Sequence, residues 1–406
     1  SAIAAGLTAV TLLAWGARLG SHKTGWWAAI IFTLSLQTFM HGKAAVADMW
    51  LVLFMTVAFW SGWEVWDRST LNAQRSTPNA QWLGSNHLWW WAFYVSLALA
   101  FLAKGPIGLI PLIPLIWMMI RTGNPRTWLL LVAGLLLTIA IISLWAIPAL
   151  VRTNGEFFRI GIGRHVVGRS IGAMEGHGAE SIGLYLLLLP YYFVAAFLSF
   201  FPWSYKLPWL FRRVKNGRDL TDTYLLLGIL SVFVIFTLVA TKLPHYTLPA
   251  FPLMALLLAR HWTGDAENAD RMAGGFKRLA ISTAALWVAI SLILPPVFAK
   301  QFPSYALYQK TRDALRPEME FGAVDYVEPS LVWYFRSQVD GYMTPLRKKR
   351  AAAFMEKPGP RFVILPTATA NGVFPQIPEG WKVVSTSGVN IPKGRRVDLT
   401  LVLKPN

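Results

Sequence analysis

The residues best able to do chemistry lie in the proline-rich segment Thr241-Lys-Leu-Pro-His-Tyr-Thr-Leu-Pro249, between two apolar runs. The segment places Lys242, His245 and Tyr246 at the edge of a predicted membrane region, where ionisable groups are costly and often functional. Prolines hold such a break in a fixed shape. Lys242 and Tyr246 are four residues apart, so one helical turn would put both on one face. The simpler alternative is that Lys242 extends to the interface and Tyr246 joins an aromatic belt.

Two more ionisable residues lie at the ends of apolar runs. Asp48 closes the stretch His41-Gly-Lys-Ala-Ala-Val-Ala-Asp48, and Lys104 lies in the turn Ala103-Lys-Gly-Pro106. A carboxylate at a membrane boundary can orient or deprotonate a hydroxyl, and a lysine can neutralise phosphate as a point charge. The structural alternatives are a helix N-cap for Asp48 and an interfacial side chain for Lys104.

A polar stretch, Gly163-Arg-His-Val-Val-Gly-Arg169 followed by Met174-Glu-Gly-His-Gly178, mixes cations, imidazoles and a carboxylate. Arginine binds phosphate through two parallel hydrogen bonds, and histidine can donate to it. A solvated loop is the plain alternative. The histidine and glutamate spacing matches no strong zinc motif, so we predict no metal site and no required cofactor, although a divalent cation is compatible with the residues. The weaker candidates for phosphate contact are Lys43, Arg164, Glu175, His177 and His245.

The composition places these residues in a membrane protein. Hydrophobic residues make up 55% of the 406, charged residues only 14%, and the mean hydropathy is +0.44. Runs of about 17–25 apolar residues can span hydrocarbon. The sequence predicts ten candidate spans, of which 2–17, 25–40, 106–120 and 246–259 are shorter than this: 2–17, 25–40, 45–64, 87–103, 106–120, 128–150, 182–202, 223–240, 246–259 and 279–298.

The distribution of lysine and arginine predicts an orientation. Alternate loops are richer in basic residues, which places them in the cytoplasm, whereas Asp48, Lys104 and Lys242 fall on the opposite, periplasmic face. The polar insert 152–180 lies on that face and begins with a predicted surface helix. We therefore predict a multi-pass protein of the bacterial inner (cytoplasmic) membrane.

After residue 299 the apolar runs stop. The remaining residues, 300–406, predict a small soluble α/β domain on the periplasmic side, and residues 1–299 form the membrane domain. Alternation of apolar residues predicts strands, and a helical pattern predicts one helix between them. The strands are Glu320–Val327, Arg361–Pro366, Trp381–Ser387 and Val397–Leu403, and the helix is Ser330–Gln338.

The net charge of +18 favours contact with anionic groups. Nucleic acid is a poor explanation because the basic residues are dispersed among apolar segments. Membrane lipids with anionic headgroups, or substrates that carry phosphate, fit this distribution better. The chain has no cysteine, which excludes disulfides and thiolate chemistry.

Four elements together resemble a known family. The segment from Thr241 to Pro249 resembles the Lys-Leu-Pro-x-Tyr-x-Leu-Pro element of the bacterial aminoarabinose transferases that modify lipid A, within the wider GT-C, protein-mannosyltransferase-like glycosyltransferases. Ala47-Asp48-Met49 resembles the family's Leu-Asp-Pro, Ala103-Lys-Gly-Pro106 its Thr-Lys-Gly turn, and Asn154-Gly-Glu-Phe-Phe158 with His165 its external loop. The resemblance covers nearly the whole chain.

The resemblance implies a GT-C fold and transfer of a sugar from a polyprenyl phosphate to an acceptor hydroxyl on a lipid, glycan or protein. By position, Asp48 would order the sugar or acceptor. The lipid phosphate would be held by Lys104, His165, Arg169, Lys242 and Tyr246. Some positions differ from the family: Arg164 replaces a glutamate, and Arg169 lies one residue late.

The family's acidic motif, which supplies its usual catalytic base, precedes the Leu-Asp-Pro element, and no acidic residue precedes Asp48 here. We expect that an amino-terminal segment carrying this base lies outside the chain. Two other classes stay open from the residues alone. A flippase or transporter of polyprenyl-linked glycans would place charges at the membrane midplane, and a polysaccharide ligase would use diphosphate donors.

Overall fold

The computed structural model describes residues 1–74, 86–122, 125–168, 181–264, 266–299, 301–326, 328–390 and 394–405. The chain forms two compact units, Ser1–Ala285 and Leu286–Asn406. The division falls inside a helix, somewhat before the change in composition at residue 299 that the sequence shows. Each unit has its own hydrophobic core.

The first unit is helical. Its α-helices, with the last one continuing into the second unit, are α1 Ala2–Leu19, α2 His22–Leu34, α3 Leu36–Lys43, α4 Asp48–Gln74, α5 Asn86–Lys104, α6 Leu112–Thr122, α7 Pro125–Arg152, α8 Ile182–Leu187, α9 Tyr191–Ser199, α10 Leu207–Asn216, α11 Leu220–Leu238, α12 Phe251–Thr263 and α13 Ala266–Ala299. Short 3-10 turns cover Gly105–Leu109, Trp203–Lys206 and Pro244–Ala250, and a π-helical segment covers Phe158–Gly168.

Six of these helices, among the described residues, are long and apolar enough to cross a membrane: Ala2–Leu19, Asp48–Asp67, His87–Leu109 with its terminal 3-10 turn, Trp128–Arg152, Leu220–Leu238 and Gly274–Ala299. They match six of the ten predicted segments. In α4, 78% of the most apolar stretch of the helix is buried inside the protein, whereas in α7 only 17% of it is buried. Since an exposed apolar helix needs an apolar surrounding, α7 faces lipid, and the chain is a multi-pass membrane protein.

The other four predicted segments are not single long helices. Segment 25–40 is divided at Ser35, whose extended backbone separates α2 from α3, and segment 182–202 is divided into α8 and α9 just before Tyr191. Segments 106–120 and 246–259 each begin with a 3-10 turn and continue as short helices. An apolar run predicts burial or lipid contact, but it does not show where a helix breaks, as at Ser35 and before Tyr191.

Close helix contacts hold the central elements together. A Cβ atom built on Gly16 would lie 2.6 Å from the Cα of Gly25, so α1 and α2 can meet only because both positions are glycine. Glu64 of α4 is fully buried and accepts hydrogen bonds from Arg18 Nε (3.1 Å) and Trp60 Nε1 (3.2 Å). The pair fastens α1 to α4, whose first residue is the candidate Asp48.

The second unit is an α/β domain built on a five-stranded sheet of order β2-β1-β3-β5-β4. Strand β1 runs parallel to β2 and β3, and β5 runs antiparallel to β3 and β4. The strands are β1 Glu320–Val324, β2 Thr344–Leu346, β3 Arg361–Pro366, β4 Lys382–Asn390 and β5 Arg395–Lys404, and the helices are α14 Pro303–Thr311, α15 Pro329–Phe335, α16 Lys348–Glu356 and α17 Thr367–Val373.

Apolar side chains cover both faces of this sheet. Phe321 and Phe362, paired across β1 and β3, pack against α15 on one face, while Val324 and Val363 pack against α16 on the other. All four predicted strands and the predicted helix are present, with ends shifted by a few residues. The sequence missed the short β2 and the helices α14, α16 and α17.

Candidate active site

Asp48 and Lys104 form an ion pair at one end of the helical unit. Asp48 is the first residue of α4 and Lys104 the last of α5, and these two helices pack side by side. The carboxylate therefore lies at a positive helix N-terminus and the ammonium at a negative C-terminus, where each is stabilised by the helix dipole. Gly105, at φ +78°, turns the chain immediately after Lys104, a conformation that favours glycine.

The 3-10 turn Pro244–Ala250 brings two aromatic rings to this ion pair. His245 Nε2 lies 3.7 Å from Asp48 Oδ1. The ring centroid of Tyr246 lies 5.4 Å from Lys104 Nζ, within cation–π range. Tyr246 is buried and stacks on Phe236 at 4.6 Å. The structure thus brings together four predicted residues from three separate parts of the sequence: Asp48, Lys104, His245 and Tyr246.

His41 of α3 completes the cluster. Its ring lies 5.0 Å from that of His245, centroid to centroid. The Nδ1 atom lies 3.0 Å from Gln37 Nε2, and Ser199 Oγ donates to Gln37 Oε1 at 3.0 Å. Burial lowers the pKa of His41 below its usual value, although Asp48 acts in the opposite direction. Burial therefore favours the neutral form of this imidazole.

Lys242 points elsewhere. Its ammonium donates to the carbonyls of Phe236 (3.2 Å), Thr237 (2.5 Å) and Val239 (2.7 Å) at the C-terminus of α11. These are carbonyls that a helix end leaves without partners inside the helix. Burial lowers the pKa of Lys242. In this structure the side chain caps the helix, and a 3-10 turn that begins at Pro244 lies between Lys242 and Tyr246.

An apolar cavity of about 840 Å³ adjoins the cluster. It shares Lys104, Phe236 and Tyr246 with a narrow recess that also contains Asp48 and His245. The rest of its lining is mostly apolar, including Phe101, Ile107, Ile142, Trp145 and Phe157. A chain that is apolar along its length and charged at one end fits a cavity of this kind.

A second cavity, about 890 Å³, lies far from the predicted residues. It surrounds the N-terminus of α11, and the 19 residues of that helix put it about 28 Å from the Lys242 end. Arg260 bridges Asp219 and Asp222, and His261 Nε2 lies 3.0 Å from Asp222. These acidic and basic groups offset one another, so we assign this end of the unit a structural role.

The predicted loop is only partly described. Arg164 and His165 lie in the π-helical segment Phe158–Gly168, but their side chains are outside the described set, as are the whole residues Arg169, Glu175 and His177. Their predicted contacts with phosphate stay predictions. Lys43 is exposed at the end of α3, with Nζ 4.5 Å from the Phe39 ring centroid.

Sequence reasoning missed the supporting residues Gln37 and Ser199. Gln37 interrupts an apolar run four residues before His41, a spacing that puts both on one helical face, and this polar residue in a predicted membrane segment was the available signal. Ser199 gives no comparable signal, since serines are common in such segments. The proximity of His41 to His245 depends on tertiary packing and has no local signal.

A family model matches residues 1–160: dolichyl-phosphate-mannose-protein mannosyltransferase. The chain is 26% identical over 307 residues to the undecaprenyl phosphate-alpha-4-amino-4-deoxy-L-arabinose arabinosyl transferase of Edwardsiella ictaluri, covering 73% of this chain and 51% of the relative. It is 24% identical over 300 residues to an uncharacterised protein of Aquifex aeolicus, covering 70% and 54%. The chain thus spans about half the length of the curated relatives it matches.

The fold matches a solved structure. The crystal structure of ArnT from Cupriavidus metallidurans bound to undecaprenyl phosphate aligns with a TM-score of 0.66 at 15% identity, over 98% of this chain and 82% of that one, and its apo form aligns equally well. The family model, the curated relatives and the solved structures each show a likeness to proteins of this type. Together they confirm the predicted resemblance of this chain to the GT-C glycosyltransferases of the protein-mannosyltransferase and aminoarabinose-transferase type.

Proposed function

We propose that this protein is an integral-membrane glycosyltransferase that moves a sugar from a polyprenyl-phosphate donor to an acceptor hydroxyl at the periplasmic face of the bacterial inner membrane. The observation that carries the proposal is the junction of the apolar cavity with the ion pair of Asp48 and Lys104. Lys104 lines both the cavity and the recess that holds Asp48.

The cavity accounts for the donor. A polyprenyl tail is apolar and its phosphate is anionic, so the tail would lie along the cavity wall and the phosphate beside Lys104. An ammonium in an apolar surrounding attracts an anion far more strongly than it does in water. The relative whose crystal structure contains undecaprenyl phosphate shares this fold, which supports a donor of the same class.

The cluster accounts for the transfer. In the proposed reaction, the acceptor oxygen forms a bond to the anomeric carbon while the bond from that carbon to the phosphate oxygen breaks, with inversion. The electron pair leaves with the polyprenyl phosphate, and Lys104 stabilises the charge that develops there. Asp48 orients the incoming hydroxyl, whose proton passes to the adjoining pair of Asp48 and His245.

The predicted Lys242 has a different part in this proposal. Because its ammonium donates to three carbonyls at the C-terminal end of α11, it supports the segment that carries His245 and Tyr246. His165 and Arg169 keep their predicted role as further phosphate ligands. The acceptor is a hydroxyl of lipid A, a glycan or a protein, and the carboxy-terminal α/β domain is proposed to be periplasmic.

The test is a transfer assay on the natural full-length protein in proteoliposomes. Radiolabelled polyprenyl-phosphate sugars would be supplied with lipid A as acceptor, and a diphosphate donor would run beside them. We expect label to move from the monophosphate donor to the acceptor, and Lys104→Met to abolish this movement. Lys215→Met, at an exposed position of α10, is the matched control and should transfer normally.

Two results would overturn the proposal. Movement of the labelled donor across the bilayer without transfer indicates a flippase, and transfer from the diphosphate donor alone indicates a ligase. Equal transfer by Lys104→Met and the wild type would show that Lys104, and with it the cavity, takes no part in the reaction.

A further inference from the structure

We propose that His41, Asp48 and His245 bind one divalent transition-metal ion of the zinc type. The three residues are contributed by α3, by the start of α4 and by the 3-10 turn Pro244–Ala250. One ligand atom from each lies within 4.8 Å of the other two. They are well separated in the sequence, which is why their spacing predicts no metal motif.

One ion can be shared only if the three ligand atoms, which now lie within 4.8 Å of one another, move closer together. His245 Nε2 and Asp48 Oδ1 are 3.7 Å apart. Two ligand atoms that each lie about 2.0–2.1 Å from a tetrahedral zinc are about 3.3 Å from one another. All three residues are half-buried, so water competes with them less than at an exposed site.

The ligand types select the ion. Imidazole nitrogen suits zinc and its neighbours among the transition metals, whereas magnesium and calcium prefer oxygen ligands alone. Three protein ligands also leave coordination positions open, as in catalytic rather than structural zinc sites. An oxygen of a phosphate or a hydroxyl can occupy such a position.

Gln37 and Ser199 supply the support that a metal-binding histidine needs. Such a histidine donates its other ring N–H to a fixed acceptor, which sets the tautomer and leaves the second nitrogen for the ion. His41 Nδ1 is held at 3.0 Å by the amide of Gln37. If the Gln37 amide is rotated by 180°, its oxygen accepts from His41 Nδ1–H and its nitrogen donates to the Ser199 hydroxyl. Gln37 and Ser199 can therefore hydrogen-bond to either tautomer of His41.

Lys104 competes with the ion for Asp48. Its ammonium contacts the same carboxylate, and two positive charges so close repel one another. The Lys104 side chain also reaches the ring of Tyr246 and the cavity. Metal binding would therefore release Lys104 towards the cavity. Binding of the ion can be measured without the transfer reaction, whereas a role for the ion in holding the donor phosphate rests on the proposed function. The metal-free pair of Asp48 and His245 is the form that would accept the proton there.

Metal binding can be measured directly on the full-length protein, purified through a tag that contains no histidine and stripped with chelator. Cobalt(II) replaces zinc and gives visible absorption bands that report its ligands. We expect one cobalt per chain, displaced by zinc. His41→Ala and His245→Ala should each weaken zinc binding at least about 100-fold, and Gln37→Ala about 10–100-fold, as removal of a supporting hydrogen bond does.

Two further variants sharpen the result. Lys104→Met should tighten zinc binding, because the competing charge is gone. His22→Ala, at an exposed position of α2, is the control and should bind as the wild type does, and thermal melting would verify that each variant is folded.

Equal cobalt binding by the wild type and the His41→Ala/His245→Ala double variant, or no cobalt spectrum at all, would overturn the site. The two proposals fail separately. Transfer by a protein that binds no metal rejects this site and keeps the glycosyltransferase, whereas metal binding without transfer keeps the site and rejects the enzyme.

Discussion

Replacing Lys242 by methionine tests whether this lysine supports the fold or binds the donor. Methionine keeps most of the apolar stem, which passes near the rings of Tyr185 and Tyr192, each 5.5 Å from Nζ. It removes the ammonium that donates to three carbonyls at the end of α11. From the family resemblance alone, loss of this lysine should abolish transfer and leave the protein intact. From the structure, we expect loss of stability.

The magnitude follows from the bonds removed. A hydrogen bond to a charged group contributes about 1.5–3 kcal/mol, and a cation at a helix C-terminus about 0.3–1 kcal/mol. The three bonds share one ammonium, whose burial opposes them, as its lowered pKa indicates. We therefore expect a net loss of about 2–4 kcal/mol. At about 2 °C per kcal/mol for a unit of this size, the melting temperature should fall by about 4–8 °C.

The assay is thermal unfolding of the detergent-solubilised protein at a single scan rate, because membrane proteins often unfold irreversibly. Lys215→Met, on the exposed face of α10, should stay within about 1 °C of the wild type. Transfer by Lys242→Met at low temperature, where the variant is folded, should be retained. An unchanged melting temperature together with abolished transfer would refute the reasoning, and would show that the ammonium leaves the helix end to bind the donor.

Three more predictions concern the site and the second unit. Asp48→Asn should lower the initial transfer rate at least about 100-fold with normal folding, and a rate within tenfold of the wild type would remove Asp48 from the chemistry. Trp145→Ala should raise the KM for the polyprenyl donor about tenfold, since a large apolar side chain contributes about 1.5–3 kcal/mol; Trp128→Ala, near the other end of α7, is the control and should leave KM unchanged. Phe321→Ala should destabilise the sheet by about 3–5 kcal/mol, seen as faster amide hydrogen exchange of β1 and β3 in the full chain, and unchanged exchange would contradict the assigned core.

Most of the fold is readable from the sequence, because the membrane imposes one simple rule. A long apolar run has to be helical in lipid, and six of the predicted segments are confirmed as long helices. The broken segments escaped because their breaks depend on tertiary bonds. The N–H of Leu36 bonds to the carbonyl of Phe201, so the extended backbone at Ser35 is stabilised by a distant part of the chain. Strand β5 was predictable from its alternation of apolar and polar residues and β3 from its short apolar run, whereas the three-residue β2 carries too short a pattern.

The site was predictable as a list of residues, and less so as an arrangement. Asp48, Lys104, His245 and Tyr246 stand at the ends of apolar runs, where ionisable groups are conspicuous. The direction of the Lys242 side chain was not predictable, because a helix end with unpartnered carbonyls competes with any ligand for an ammonium. The hydrogen bond between His41 and Gln37 is local in sequence. Its role in supporting the cluster can be recognised only once α3 packs beside the turn that carries His245.

The position of Lys104 suggests how such a site would avoid acting without a donor. With no phosphate nearby, the ammonium is paired with Asp48, and a carboxylate held in this way is a poor proton acceptor. A donor phosphate in the adjoining cavity would attract the same ammonium by about 4 kcal/mol at 4 Å and an effective dielectric constant of 20. As Lys104 turns towards the phosphate, Asp48 loses its cation and becomes the stronger base. In the proposed reaction, donor binding and activation of the acceptor are therefore coupled through one lysine, because that lysine lines both the cavity and the recess.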